Sequence, residues 1–209
     1  MKFCILIPTI NRKDLLMGAL DWYLKNLPET EIIVLDNGKQ GIVSGHPNLK
    51  VFEPTKPKGV AASWNWLIRR AIHRGYRYFL ILNDDVILQR TQSEIQELLE
   101  KHGNDSFIRP HVIYNWSAYI LNADIFKKVG EFDESFQKCF FEDNDYEYRM
   151  QLAGINIKYE ETLNPQVYLN SQSTLKDPLL GDYIANREYY INKWGGEPTK
   201  ETYKTPFNK

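Results

Sequence analysis

The chain has 209 residues, 43% of them hydrophobic, so it can bury the core of one large domain. Its 26 basic and 27 acidic residues give a net charge of −1, which argues against nucleic acid or an anionic membrane as an electrostatic partner. The two cysteines are far apart, and the apolar run before Pro8 is too short for a signal peptide or a membrane span. We therefore expect a soluble cytoplasmic protein with no disulfide framework and no direct membrane insertion.

Strand and helix patterns alternate over the first 100 residues. Continuous apolar runs predict buried strands over 3–7, 31–38, 49–53 and 78–82. Apolar residues at helical spacing predict helices over 12–26, 59–74 and 92–102. This alternation with short connections predicts an α/β fold with a mostly parallel, doubly wound sheet and helices on both faces.

The second half of the chain is less regular. A strand is predicted over 117–122, followed by a short helix and a loop. A helix is predicted from about Glu142 and ends at Gly154, where glycine suits a C-cap. A strand over 155–160 and an amphipathic helix over 179–194 follow. The sequence contains no internal repeat and no linker, so we expect a single domain over 1–209.

Polar side chains follow three of the predicted strands. The first strand leads into "PTINR", the second ends at Asp36, and the strand over 78–82 leads into Asn83, Asp84 and Asp85. Ligands bind open α/β sheets outside the carboxyl ends of their strands. A partly desolvated carboxylate there needs a hydroxyl or a cation, and Mg²⁺ or Mn²⁺ takes oxygen ligands that include substrate phosphates. The pattern suggests a nucleotide diphosphate bridged through a metal, and a capping or turn role for Asp84 or Asp85 is the alternative.

A second acidic cluster begins at Glu142 and Asp143, within "EDNDYE". It lacks the spacing and the glycine of a calcium-binding loop. One interpretation is an acidic helix N-terminus that complements the helix dipole. The flanking aromatic residues instead suggest a partly buried site; they are Phe140, Phe141, Tyr146 and Tyr148.

Five stretches in this order resemble a GT-A-fold glycosyltransferase of the large inverting family 2 type, a Rossmann-like fold. They are "ILIPTINR" (5–12), "EIIVLDNG" (31–38), "KGVAASWNWLIRRA" (58–71), "YFLILNDDVIL" (78–88) and the segment 117–159. The compact chain is also similar to glycosyltransferase domains of large DNA viruses of the chlorella-virus type, which act in the host cytoplasm. The resemblance implies that 1–100 binds the nucleotide-sugar and that 101–209 supplies acceptor and catalytic groups.

The resemblance also implies a set of donor-binding residues, which follow the strands or open the second helix. Asp36 matches an acid that binds uracil or ribose, and Asn83, in the first position of a DxD-like motif, would face the ribose. The remaining donor-binding residues are Thr9, Asn11, Arg12, Lys58, Asn65 and Asp84.

The metal and catalytic residues follow from the same resemblance. Asp85 would bind Mn²⁺ or Mg²⁺ through the diphosphate, and Asp143 would be the general base, with Glu142 orienting it or the acceptor. Related enzymes often carry a late histidine on the metal or diphosphate, whereas 167–174 contains none. Asn170 or Ser173 would replace it there. Either the metal is held less tightly, or Arg12 or Lys58 neutralises part of the diphosphate charge.

The acceptor, a glycan or glycoprotein hydroxyl, would meet Trp116 and His111. A core role is the alternative for Trp116. The predicted activity is inverting transfer of a hexose or deoxyhexose from a UDP-sugar. Two other functions stay open: a nucleotidyltransferase, which usually has a Gly-rich first loop that "PTINR" lacks, and a non-catalytic sugar-nucleotide or glycan-binding module.

Overall fold

The computed structural model of the protein describes residues 1–103, 106–110, 116–165, 167–168 and 180–209. It contains a seven-stranded sheet and a separate two-stranded sheet. In chain order the strands are β1 (Phe3–Thr9), β2 (Glu31–Asp36), β3 (Leu49–Phe52), β4 (Tyr78–Leu82), β5 (Val86–Ile87), β6 (Ser106–Arg109), β7 (Ala118–Asn122), β8 (Asn156–Tyr159) and β9 (Val167–Tyr168).

The large sheet has the order β3-β2-β1-β4-β7-β6-β8. Strands β3, β2, β1 and β4 are parallel, and so are β6 and β8, while β7 runs antiparallel to both of its neighbours. The predicted mostly parallel α/β sheet is therefore confirmed. Strand β6 and the β5–β9 pair were not predicted, because short strands carry little periodic signal.

Within the described ranges, six α-helices flank the sheet: α1 (Lys13–Asn26), α2 (Val60–His73), α3 (Gln92–His102), α4 (Ala123–Val129), α5 (Glu142–Leu152) and α6 (Leu180–Trp194). Successive side chains of a strand point to opposite faces. In β1, Ile5 and Ile7 join α1 and α3 in one apolar core, whereas Cys4 and Leu6 join α2, α4 and α5 in another. Helices thus cover both faces, as predicted.

Helix α6 packs on α5 through a third, smaller cluster of Phe136, Phe141, Tyr148, Tyr190 and Trp194. Buried polar contacts reinforce this packing. The fully buried carboxylate of Asp145 accepts a hydrogen bond from Trp194 Nε1 at 2.8 Å. The buried Lys193 ammonium lies 2.6 Å from Asp145 Oδ1 and 2.6 Å from Asp133 Oδ2. These ion pairs join the C-terminal helix to the segment that carries the second acidic cluster.

Candidate active site

The sheet has its topological switch point between β1 and β4. Strands β2 and β3 are added on one side of β1, and the chain then returns to add β4 on the other side. Thr9 and Asp36 end neighbouring parallel strands in register, and Asn83 directly follows β4. Ligands of open α/β sheets bind in the crevice at this point. The predicted strand-end residues therefore meet at the edge of the sheet where a ligand is expected.

A cleft of about 530 Å³ opens at the switch point, and we call it the first cleft. It is bounded by the loop after β1, by the start of α2 and by the acidic turn, which we define as residues 83–85. Its walls comprise Pro8, Thr9, Ile10, Asn37, Pro57, Lys58, Gly59, Val60, Ser63, Trp64, Asn83, Asp84, Asp85, Lys138 and Cys139.

The acidic turn places two adjacent carboxyl groups in largely buried surroundings. The Thr9 hydroxyl donates a hydrogen bond to Asp84 Oδ2 at 2.7 Å. Burial nevertheless raises the pKa of Asp84 to about 6, with the negative charge of Asp85 acting in the same direction and Thr9 and Arg12 opposing it. Asp85 itself is only 3% exposed. Two adjacent, desolvated carboxyl groups form a site that a cation would stabilise.

A buried tyrosine fixes the chain just after the acidic turn. The Tyr23 hydroxyl, on α1, accepts a hydrogen bond from the Leu88 amide at 2.8 Å and donates one to the Val86 carbonyl at 3.1 Å. Tyr23 is fully buried, so these backbone groups depend on it rather than on water. The hydroxyl therefore helps to hold the acidic turn against the sheet.

Two predicted cationic residues lie at or near the first cleft. Lys58 is half-buried in its wall, and its amide donates to Asn37 Oδ1 at 3.1 Å. Arg12 is also half-buried, and its positive charge lowers the pKa of Asp84. Its Nη1 is buried without a hydrogen-bond partner in the part of the chain that the structure describes. Both cations can therefore offer N–H groups to an anion.

Asn65, which was predicted to bind the donor, does not line the first cleft. Its side chain is fully buried in α2 and faces the loop before α5. Nδ2 donates to the Phe132 carbonyl at 2.8 Å and to Glu134 Oε1 at 2.9 Å, while Oδ1 accepts from the Phe132 amide at 2.8 Å. All of its polar atoms are used within the fold, so Asn65 holds a loop.

Asp36 and Asn11 lie beside the cleft lining rather than in it. Both Asp36 oxygens accept hydrogen bonds from nearby N–H groups: Gly38 N at 3.0 Å, Gln40 N at 2.6 Å and Gln40 Nε2 at 2.9 Å. Asn11 is exposed, with a φ of 56°. A Cβ at Gly38 would lie 2.9 Å from Asn11 N, so only glycine allows this close approach of the two loops.

Several residues that line the first cleft were not predicted to bind the donor, and Asn37, Ser63, Lys138 and Cys139 are among them. Asn37 donates through Nδ2 to Ser63 Oγ at 3.0 Å. Asn37 lies within the stretch 31–38 and directly follows the end of β2. Its position could therefore have predicted a place in the cleft. Lys138 and Cys139 come from the second half of the chain, far in sequence from the other cleft residues, and no local pattern marks them.

A second cleft of about 490 Å³ contains Asp143. Its polar wall is built around Arg109, whose Nη2 lies 3.3 Å from Glu147 Oε1 and 3.2 Å from the Tyr159 hydroxyl. The Arg109 Nε is buried and has no partner among the described residues. The lining comprises Arg109, Trp116, Asp143, Asn144, Glu147, Tyr148, Gln151, Tyr190, Pro198, Thr199 and Glu201.

Glu142 and Asp143 form the first turn of α5, and both are desolvated. Burial raises the pKa of Glu142, and the negative charge of Asp143 raises it further. Glu142 is 5% exposed, and its Oε2 has no hydrogen-bond partner in the described ranges. Burial also raises the pKa of Asp143, although the Asn144 amide, which donates to Oδ1 at 2.8 Å, and the charge of Arg109 oppose this.

The predicted acceptor residues have different outcomes. Trp116 is 6% exposed and packs against Phe107 and Tyr119, with ring centroids 4.8 Å away in both cases. It is thus a core residue that also borders the second cleft. His111, Asn170 and Ser173 lie outside the residues that the structure describes.

The described residues contain neither a ready-made cluster of metal ligands nor a helix that could span a membrane. Within 1–103, 106–110, 116–165, 167–168 and 180–209, no group of three or more His, Cys, Asp or Glu side chains could hold a metal ion by itself. The helices in these same ranges are all too short or too polar to cross a membrane.

Comparisons with known proteins agree with this geometry. The family model described as Glycosyl transferase family 2 matches residues 4–157. A comparison with curated protein sequences finds no match. Among solved structures, S. aureus TarS 1-349 is similar with a TM-score of 0.63 and 17% identity, over 77% of this chain and 58% of that chain. This chain therefore spans less than two thirds of the TarS structure.

A second similar structure is the catalytic domain of Drosophila β1,4-galactosyltransferase 7, solved in complex with xylobiose. Its TM-score is 0.53 at 16% identity, over 81% of this chain and 68% of that chain. At such low identity both structures establish the fold. Because the family model covers well over half of the sequence, this chain belongs to glycosyl transferase family 2, and its fold is GT-A.

Proposed function

We propose that the protein is an inverting glycosyltransferase that moves a hexose or deoxyhexose from a UDP-sugar to a hydroxyl of a glycan or glycoprotein. One observation carries this proposal: two separate clefts each contain desolvated carboxyl groups. Asp84 and Asp85 line the first cleft and Asp143 lines the second. Inverting transfer needs a charge-stabilising site at the leaving diphosphate and a base for the acceptor hydroxyl on the opposite side of the sugar.

The first cleft would bind the nucleotide-sugar. Asn83 would contact the ribose, and Lys58 and Arg12 would approach the diphosphate. Their support is the half-buried position of both cations and the unpartnered Nη1 of Arg12. Asp36 lies one strand away and is fully bonded locally, so its role would be to hold the loop 37–40 that borders the nucleotide.

A divalent metal, Mn²⁺ or Mg²⁺, fits the acidic turn. Carboxylate oxygens are the ligands that such hard cations prefer. Burial, together with the negative charge of Asp85, raises the pKa of Asp84, and a cation would favour its ionised form. Asp85 would hold the metal and Asp84 would support it. When bound, the metal would stabilise the charge that builds on the diphosphate.

Asp143 would act as the general base. Its carboxylate would take the proton of the acceptor hydroxyl while the oxygen attacks the anomeric carbon and the bond to the diphosphate breaks. The Asn144 amide and the Arg109 guanidinium favour the ionised form, against the effect of burial. Glu142, with its raised pKa, would orient Asp143 rather than remove the proton itself.

The second cleft would bind the acceptor. Its described lining is rich in hydroxyl, amide and carboxylate groups, which suit a polyhydroxylated molecule. Three carboxylates, those of Asp143, Glu147 and Glu201, face one guanidinium, that of Arg109. This balance disfavours an anionic acceptor. Trp116 would offer a ring edge to a sugar, in keeping with its place on the cleft border.

The experiment is a donor screen with purified protein. UDP-glucose, UDP-galactose, UDP-N-acetylglucosamine, dTDP-rhamnose and GDP-mannose would be incubated with Mn²⁺ and simple saccharide acceptors. Nucleotide release would be measured, and NMR would give the configuration of the product. We expect release from a UDP-sugar and an inverted anomeric centre. Tight UDP binding with no transfer from any donor would favour the binding-module alternative.

A further inference from the structure

The segment before α5 has an unusual backbone. Residues 137–141, which we call the arch, lead from the core residue Phe136 into the acidic start of α5. Three non-glycine residues of the arch have left-handed φ angles: 44° at Lys138, 84° at Phe140 and 69° at Phe141. Such conformations are uncommon and strained outside glycine, and they persist only where the surrounding structure enforces them.

One side chain holds most of the arch. Asn186, in the middle of α6, is 1% exposed. Its Nδ2 donates to the carbonyl oxygens of Gln137 at 2.7 Å, Cys139 at 2.8 Å and Phe140 at 3.1 Å. Its Oδ1 accepts from the Gln137 amide at 2.8 Å. A single buried amide thus provides hydrogen bonds for three of the five arch residues.

The opposite side of the arch rests on the start of α2. The Val60 amide donates to the Lys138 carbonyl at 2.6 Å. A Cβ added at Gly59 would lie 3.1 Å from the same carbonyl oxygen, so the two backbones are nearly in contact. The arch is therefore held between two helices, α2 at the first cleft and α6 at the C-terminal end of the chain.

Other residues of α6 contact the arch from the same face of the helix. Asp182 accepts from Lys138 Nζ at 2.6 Å, and the Tyr190 ring lies 5.7 Å from that of Phe141. Residues 182, 186 and 190 are spaced by four, so they lie along one helical face. Asn186 is central in this row, and its contacts with the arch are to the backbone alone.

The arch lines the first cleft and leads into α5, the helix that carries Asp143 of the second cleft. Lys138 and Cys139 line the first cleft, and Phe141 is the N-cap of α5, directly before Glu142 and Asp143. Phe141 caps the helix without a side-chain hydrogen bond, so the path of the arch backbone helps to determine where α5 begins. A shift of the arch would move Asp143 and the wall of the first cleft together.

We propose that Asn186 is a positioning residue of the active site: by holding the arch in its left-handed conformation, it places Asp143 relative to the donor in the first cleft. This inference rests on the proposed function of Asp143 and of the first cleft. Asn186 would not touch a substrate, because its polar atoms are all engaged by the arch backbone.

The test compares Asn186→Ala with Asn192→Ala, an exposed asparagine on the same helix. Hydrogen–deuterium exchange resolved to single amides measures how well each backbone amide of the arch is protected. In the wild-type protein we expect protection of the Gln137 amide, although Gln137 is an exposed loop residue. In Asn186→Ala we expect the arch amides to exchange at least about tenfold faster, whereas Asn192→Ala leaves them unchanged.

The kinetic measurement separates positioning from general stability. At a temperature well below unfolding of either variant, we expect kcat of Asn186→Ala to fall by about ten- to a hundredfold. The KM for the donor would change less, and kcat of Asn192→Ala would equal that of wild type. If Asn186→Ala does not fold, it is replaced by Asn186→Ser, which keeps a shorter polar group. Exchange of the Gln137 amide in the wild-type protein still shows whether its hydrogen bond to Asn186 exists.

Two results would overturn the inference. Free exchange of the Gln137 amide in wild type would show that Asn186 does not hold the arch. Faster exchange in Asn186→Ala with an unchanged kcat would reduce Asn186 to a structural residue. Failure of the proposed function gives a different result. The wild-type protein would then release no UDP from any donor, whether or not the arch amides are protected from exchange.

Discussion

The acidic turn and the acidic start of α5 contain the same chemical groups but are positioned differently. The turn follows β4 directly, and the Asn83 amide donates to the Ser117 carbonyl of the neighbouring chain segment at 2.9 Å. The start of α5 instead follows a strained arch that is held by α6. The proposed donor side of the site is thus part of the sheet, whereas the proposed catalytic side depends on a helix that begins 38 residues after α5 does.

This difference predicts which changes each side tolerates. Substitutions at the edge of the sheet should alter nucleotide binding at the acidic turn, because the turn that contains Asp84 and Asp85 directly follows β4. Damage to α6 should leave the turn unchanged and displace the start of α5. Separate effects on nucleotide binding and on turnover are therefore expected, and the following changes test this separation.

The largest expected effect is on turnover in Asp143→Asn. Loss of the proposed general base should reduce kcat by ~10²–10⁴-fold, while UDP affinity stays close to that of wild type. Transfer rates and UDP titrations would be measured side by side. Asp21→Asn, at an exposed position on α1, is the matched control and should behave as wild type. A parallel loss of UDP affinity in Asp143→Asn would place this residue on the donor side.

Lys193→Met tests the buried ion pairs between α6 and α5. Asp145 and Asp133 would each lose the ammonium that lies 2.6 Å away, leaving buried negative charge. We expect the free energy of unfolding to fall by about 3–5 kcal/mol in urea titrations. Lys56→Met, at an exposed loop position, should have little effect. Equal stabilities of the two variants would mean that these ion pairs do not hold α6.

Tyr23→Phe tests the donor side. The change leaves the Leu88 amide and the Val86 carbonyl without their buried partner. We expect a loss of ~1–3 kcal/mol in the free energy of unfolding, together with weaker UDP binding. Tyr183→Phe, at a partly exposed ring, is the control. Unchanged UDP affinity in a destabilised Tyr23→Phe protein would show that the acidic turn does not need this hydroxyl.

Glu142→Gln should have no effect on the acidic turn and should change only how stability depends on pH. The raised pKa means that the folded protein holds this proton more tightly than the unfolded chain does. Stability is therefore lost as the pH rises above the ordinary carboxyl range, by at most ~1.4 kcal/mol per pH unit for one group. The glutamine variant has no ionisable group at this position, so it does not lose stability in this way as the pH rises.

Urea titrations of wild type and Glu142→Gln between about pH 5 and about pH 8 would measure the difference. We expect the variant to gain stability relative to wild type as the pH increases. The exposed Glu100→Gln is the control and should follow wild type. Parallel curves for wild type and Glu142→Gln would contradict the proposed burial of an ionisable carboxyl group.

The sequence predicted the parts of the fold that local patterns encode. Apolar runs identified β1, β2 and β4, and the polar residues after them identified Thr9 and the acidic turn. The antiparallel direction of β7 was not predictable, because a strand's own sequence does not carry its direction. Arg109, a charged residue in the short buried strand β6, was an available signal for the second cleft that periodicity alone overlooked.

Asparagines show the limit of sequence reasoning for the site. Asn65, in a matching motif, is used inside the fold, whereas Asn186 makes four hydrogen bonds to residues 46–49 positions away. The local sequence does not distinguish a buried structural asparagine from one that binds a ligand. The left-handed conformations of Lys138, Phe140 and Phe141 likewise follow from tertiary contacts and have no marker in the sequence.

The central claim is that the acidic turn binds a nucleotide diphosphate with a divalent metal. Its most direct test is calorimetric titration of UDP into wild type and Asp85→Asn, each with Mn²⁺ and with a chelator. We predict binding to wild type with Mn²⁺ that weakens at least about tenfold with chelator, because the carboxylates then repel the diphosphate. The same weakening is expected in the variant, because a carboxylate ligand of the metal is lost. UDP binding that is equal in all four titrations would contradict the claim.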